Sequence, residues 1–95
     1  MAKYEALYII DPAVEEQQLR DTIDRFSGMV TANGGTLEGV DEWGKRRLAY
    51  TIDYKNEGFY VLMKFEADPV FPRELERNFE ISDAVIRYLV TRLDN

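Results

Sequence analysis

Ninety-five residues make one domain, and a chain of this size buries only about 60–65% of the surface its unfolded form exposes, so its core is modest. Acidic residues outnumber basic ones, 18 against 12, and the net charge of -6 argues against non-specific nucleic-acid binding through a broad basic surface. The absence of Cys and His removes disulfides, thiolate chemistry, the commonest general base and the commonest zinc ligand.

The N-terminal Met1-Ala2-Lys3-Tyr4-Glu5 lacks the apolar h-region of a signal peptide, and no apolar run approaches a membrane span. A soluble cytoplasmic protein with no membrane contact is expected. Lys3-Tyr4-Glu5-Ala6-Leu7-Tyr8-Ile9-Ile10 is aromatic and β-branched enough for a strand, and Asp11-Pro12 breaks it. A helix is predicted from about 14 to 32, because Leu19, Ile23, Phe26 and Val30 recur on one helical face. Glu15 and Glu16 suit the positive end of its dipole, and Asn33-Gly34-Gly35 stops it.

Residues 36–52 read as a long strand with candidate bulges or bends at Gly39 and Gly44. Asp53-Tyr54-Lys55-Asn56-Glu57-Gly58 reads as the next turn. Residues 59–67 form a strand that is apolar at Phe59, Val61, Met63, Phe65 and Ala67. Asp68-Pro69 breaks again, and Pro72 opens a second helix whose apolar face is Phe71, Leu75 and Phe79. Ser82-Asp83 is a turn, and residues 84–93 are the last strand. The order βαββαβ predicts an α+β ferredoxin-like fold, a four-stranded antiparallel sheet with two helices on one face. With the usual strand order 4-1-3-2, strands two and four are edges and one sheet face is open.

If the odd residues of strand three face the helices, Tyr60, Leu62, Lys64 and Glu66 face outward. Leu48, Tyr50 and Ile52 share one parity on strand two. Paired with strand three, this parity would place Leu48 and Tyr50 beside Tyr60 and Leu62 in an apolar patch of the kind that marks interaction sites. Bulges at the glycines could instead turn Leu48 and Tyr50 into the core. At the other side of the sheet, antiparallel pairing brings Lys3 and Tyr4 close to Arg92. An aromatic ring between cations suits RNA, since bases stack on rings while cations meet phosphates. Equally, these are the solvated charges of an ordinary surface.

No catalytic or metal-binding constellation stands out. Glu15, Glu16, Asp21 and Asp24 share a helix with Arg20 and Arg25, where i,i+4 pairs such as Asp21–Arg25 account for them. Asp41 and Glu42 are expected to pair with the adjacent Lys45-Arg46-Arg47 cluster. An RNA-recognition motif shares this element order and needs cation, Gly, aromatic, small residue and aromatic on strand three. Glu57-Gly58-Phe59-Tyr60-Val61 matches that run only at Gly-Phe. A small-ligand or enzymatic ferredoxin-like domain is the alternative, and it lacks a paired acid and base.

The chain resembles the bacterial ribosomal small-subunit protein six family. Gly44-Lys45-Arg46-Arg47-Leu48-Ala49-Tyr50 followed by Ile52 carries most of the resemblance, with Gly58 and the aromatic run behind it. Tyr4-Glu5, Pro12, Gly34 and the Arg87 region support it over nearly the whole chain. The resemblance implies a non-enzymatic ribosomal protein without a cofactor. It implies binding to the central domain of small-subunit (16S) ribosomal RNA, cooperatively with small-subunit protein eighteen. Within that frame two surfaces are expected, since strand order puts the two cation groups near opposite edges. Lys3, Tyr4, Arg87 and Arg92 would contact RNA, while Arg46, Arg47, Leu48, Tyr50, Tyr60 and Leu62 would meet protein eighteen. Lys45, Arg46 and Arg47 would also guard an edge strand against unwanted pairing.

Overall fold

The alternation of buried and exposed side chains on two neighbouring strands organises the molecule. In a computed structural model, the structure describes residues 1–52 and 55–93, with residues 49–52 described by their backbone alone. The elements are β1 (Ala2–Ile10), α1 (Glu16–Ala32), β2 (Thr36–Ile52), β3 (Lys55–Ala67), α2 (Phe71–Ile81) and β4 (Val85–Arg92). The strands form one sheet in the order β2-β3-β1-β4, antiparallel throughout. This is the expected ferredoxin-like architecture, with β2 and β4 as edges.

Ala2, Tyr4, Ala6, Tyr8 and Ile10 of β1 are buried, as are Val61, Met63, Phe65 and Ala67 of β3. The register pairs Tyr4 with Phe65 and Tyr8 with Val61, so both rows share one sheet face. Both helices cover that face. The predicted stripes, Leu19, Ile23, Phe26 and Val30 of α1 and Phe71, Leu75 and Phe79 of α2, are all buried. At the centre, Phe26 and Phe79 lie 4.5 Å apart between ring centroids, and Tyr8 packs on both at 5.4 and 4.9 Å. Such aromatic pairs contribute about 0.5–1.5 kcal/mol each beyond the area they bury.

Local signals set the helix ends. The Asp11 carboxylate accepts the Ala13 N–H at 2.9 Å and turns the chain out of β1. At the far end of α1, Gly34 adopts a φ of +81°, and the Gly35 N–H returns to the Val30 carbonyl at 2.9 Å. Pro72 lies in the first turn of α2, which begins one residue earlier than expected, at Phe71. The clearest difference is in the β2–β3 hairpin. Its ladder runs from Thr36 opposite Glu66 out to Ile52 opposite Lys55, so residues 55–58 are strand rather than turn. Those residues are polar or glycine and carry no alternation, and the pairing of β2 alone holds them extended.

The Tyr8 hydroxyl is buried without a protein hydrogen-bond partner among the described residues. Burial raises its pKa, and the nearby Glu42 and Asp24 carboxylates push it further up. A buried, unpaired hydroxyl costs about 1–3 kcal/mol. Tyr8→Phe is therefore expected to raise stability by about 1 kcal/mol or more in urea denaturation. A loss of stability would mean that the hydroxyl is satisfied.

Candidate interaction surface on the open sheet face

The face without helices is built from the other parity of the same strands. Leu7 of β1 pairs with Leu62 of β3 on one side and with Leu89 of β4 on the other, and the three form one apolar row. Leu89 is 62% exposed, which is high for a leucine inside a strand. The next row is Tyr60, Ile9 and Arg87. Ile9 is only 7% exposed and Leu48 only 8%, although no helix lies over them. Gly58 explains this. A Cβ at Gly58 would collide with Ile9 Cγ2 and would touch Leu48 Cδ2 at 3.6 Å and Ile86 Cδ1 at 3.7 Å. Side chains from three strands thus close over the glycine. Leu48 faces the open side, as the patch reading expects, and the Tyr50 side chain lies outside the described residues.

A bulge sets the edge of this patch. In an unbroken strand Trp43 and Arg46, three residues apart, would point to opposite faces. The register of β2 shifts between Glu42 and Gly44, and Gly44 takes a φ of +82°. Trp43 consequently stacks beside Tyr60, with ring centroids 6.1 Å apart and planes within 10°. The Arg46 guanidinium sits 5.0 Å from the centroid of the same indole. The Trp43 Nε1–H donates to the Asp41 carboxylate at 3.2 Å. Trp43 was not among the expected site residues. The two strand glycines were the available signal, because the irregularity at Gly39 sets the face of Trp43 and the one at Gly44 brings Arg46 onto it.

The basic cluster divides between the two faces. Arg46 opposes Gly58 and lies on the open face, whereas Lys45 opposes Phe59 and Arg47 opposes Glu57 on the other parity. Arg47 therefore does not share a face with Leu48, Tyr60 and Leu62. Glu42 and Asp41 also depart from expectation. Glu42 opposes Val61, faces the helices and takes hydrogen bonds from Arg20 of α1 at 2.5 and 2.9 Å. Asp41 serves Trp43 instead of the cations.

The four residues expected at RNA do not converge either. Tyr4 is the main correction. It pairs in register with Arg92, but its ring is 5% exposed and stacks on Phe65 at 5.6 Å inside the core. Lys3 points to the open face and pairs with Glu38 at 3.8 Å. Arg92, opposite Tyr4, has the parity of the helix face, while Arg87, opposite Ile9, has that of the open face. Six residues of β1 separate Lys3 from the Arg87 position, about 20 Å along the strand. The sequence brought these cations to neighbouring strands, and pleating then separated them.

Among the described residues no group of acidic side chains is arranged to hold a metal ion, and no helix is long and apolar enough to cross a membrane. The site's chemistry is that of contact: apolar rows, one aromatic stack and separate guanidinium groups. Two glycines in it fail for different reasons when substituted. Gly44→Ala has open space but a left-handed backbone, and should cost about 1–2 kcal/mol. Gly58→Ala has an ordinary backbone but strikes Ile9, and should cost about 1–3 kcal/mol by overpacking. Because Ile9 is itself buried, Ile9→Ala should cost its full amount in the Gly44→Ala background but clearly less in the Gly58→Ala background, where it relieves the clash, as denaturant midpoints will show.

The Arg20 hydrogen bonds hold the Glu42 carboxyl below the usual carboxylate range. A depressed folded-state pKa stabilises the fold above the unfolded value and loses that contribution as pH falls through the folded value. Glu42→Gln is expected to flatten stability against pH on the acid side of the ordinary carboxylate pKa. Unchanged pH dependence in thermal melts would show that the bridge contributes nothing.

The family model described as ribosomal protein S6 matches residues 3–92. Small ribosomal subunit protein bS6 of Clostridium acetobutylicum is 47% identical over 94 residues, covering 99% of each chain. Its counterpart in Thermoanaerobacter pseudethanolicus is 48% identical over 94 residues, again covering 99% of each. Among solved structures, 30S ribosomal protein S6 from Thermotoga maritima superposes with a TM-score of 0.92 at 29% identity, covering 97% of this chain and 87% of that one. The C-terminal domain of the MgtC protein from Mycobacterium tuberculosis reaches a TM-score of 0.62 at 15% identity, covering 98% of this chain and 88% of that one, a likeness of fold alone. Sequence and fold agree over nearly the full length, and the chain belongs to the ribosomal protein S6 family, whose members are structural proteins of the small ribosomal subunit and not enzymes.

Proposed function

We propose that this chain binds the central domain of small-subunit ribosomal RNA together with small-subunit protein eighteen, each strengthening the other's binding. The observation that carries this reading is the open face. Leu62, Leu7 and Leu89 form an apolar row in a protein of net charge -6, with guanidinium groups at Arg46 and Arg87 beside it. A surface of that kind favours a protein partner over direct capture of RNA. The partner must also be basic, because an acidic chain needs positive charge from elsewhere to approach RNA.

In this proposal protein eighteen covers Leu48, Tyr60 and Leu62, with Arg46 at the rim. RNA runs along the β4 edge, where Arg87 and Arg92 sit on one strand, and reaches Lys3 at its far end. Tyr4 supports that edge from the core and does not stack on bases. Lys45 and Arg47 keep the β2 edge from pairing with other strands.

Three phosphate contacts by this chain correspond to a log–log salt slope of about -2 to -3 for its own contribution to RNA binding. A slope several times steeper would overturn the few-contact arrangement. Arg87→Glu should weaken assembly on RNA and leave pairwise affinity for protein eighteen unchanged in titration calorimetry. Tyr60→Ala and Leu62→Ala should each weaken that pairwise affinity about five-fold or more, as truncations at an interface centre do. Full pairwise affinity in both variants would place protein eighteen on another surface.

A further inference from the structure

Trp43, Tyr60, Asp41 and Arg46 form a cluster whose parts serve no purpose in the fold's core. Trp43 occupies a bulge on the open face, Tyr60 lies flat beside it, and Asp41 fixes the indole by a 3.2 Å hydrogen bond. Two aromatic rings and a carboxylate in one place are the parts of a receptor for a cation, above all for a planar guanidinium. The chain itself demonstrates the stacking part of this fit, because Arg46 rests 5.0 Å from the Trp43 centroid, while the Asp41 carboxylate is held by the indole N–H.

We infer that the Trp43–Tyr60–Asp41 cluster is a receiving site for an arginine side chain of the basic protein partner, and that Arg46 occupies it as a placeholder in the free chain. The inference rests on the proposal that the open face meets that partner. Charge complementarity selects the occupant: a chain of net charge -6 recruits a cationic protein, and Asp41 supplies the counter-charge beside the rings. Arginine also answers the geometry better than lysine. Its planar group stacks on the indole and keeps its edge N–H groups free for the carboxylate. When the partner's arginine enters, Arg46 swings off the indole and stays at the rim. The site is thus kept ordered and covered until the partner arrives, and the cost of opening it is one exposed cation–π contact.

Trp43 is the chain's single tryptophan, so its fluorescence reports on the site directly. The test uses the full chain, recombinant protein eighteen, and argininamide and lysinamide as small probes. Argininamide should perturb Trp43 emission more strongly in Arg46→Ala than in the parent, and more than lysinamide does. Trp43→Leu should weaken partner binding about ten-fold, as loss of a central aromatic anchor does. Arg46→Ala should tighten it about two- to five-fold, the worth of an exposed cation–π contact. If Arg46→Ala instead weakens binding as Trp43→Leu does, Arg46 is a direct contact and the placeholder is overturned. If Trp43→Leu is silent while Leu62→Ala weakens binding, the receiving site is wrong and the partner surface stands. If Trp43→Leu, Tyr60→Ala and Leu62→Ala all bind normally, the partner surface itself falls.

Discussion

The pairing of β1 with β3 is the constraint on which the rest depends. The register Tyr4–Phe65, Ala6–Met63, Tyr8–Val61 commits alternate residues of both strands to the helices and the remainder to the open face. A slip of one residue would exchange the two sets completely. The helices add to this commitment without creating it. Their apolar stripes can dock only where the strands already present one uniform apolar surface. The aromatic cluster of Tyr8, Phe26 and Phe79 joins strand and both helices at a single point, which locks the register in place.

The same alternation produces the open apolar face, and β2 shapes it by breaking the rule. Register shifts after Leu37 and after Glu42 each insert a residue, and a third follows Arg47 towards the hairpin end, so parity is reset three times along one strand. The first reset turns Glu42 inward to Arg20 and Trp43 outward, and the second brings Arg46 to the same open face. One edge strand can then serve both layers. Its inward carboxylate ties it to α1, and its outward tryptophan stacks beside Tyr60. Gly58 complements this from β3, where the missing side chain makes room for Ile9, Leu48 and Ile86.

Charge follows from the same geometry. Twelve cations against eighteen anions leave no broad basic surface, and pleating disperses the few cations that sequence places together. Lys45, Arg46 and Arg47 are consecutive, yet only Arg46 shares the face of the apolar rows. Lys3 and Arg92 come from neighbouring strands and point to opposite sides. Such an arrangement suits a protein that works within an assembly, where a partner supplies the missing positive field, better than one that captures RNA alone.

The order of elements, the helix stripes and the identity of the edges were legible in the sequence, because each follows from local periodicity and from Gly, Pro and Asp at the breaks. The resemblance to the S6 family was also legible, in Gly44-Lys45-Arg46-Arg47-Leu48-Ala49-Tyr50. The outward reading of Tyr60 and Leu62 came from simple alternation on a regular strand. What the sequence could not determine was parity beyond a bulge, and hence the faces of Trp43 and Arg47. Nor could it tell that Tyr4, beside Lys3 in the chain, points away from it into the core. Those assignments depend on how each residue registers against a strand far away in sequence, and only the folded sheet decides that.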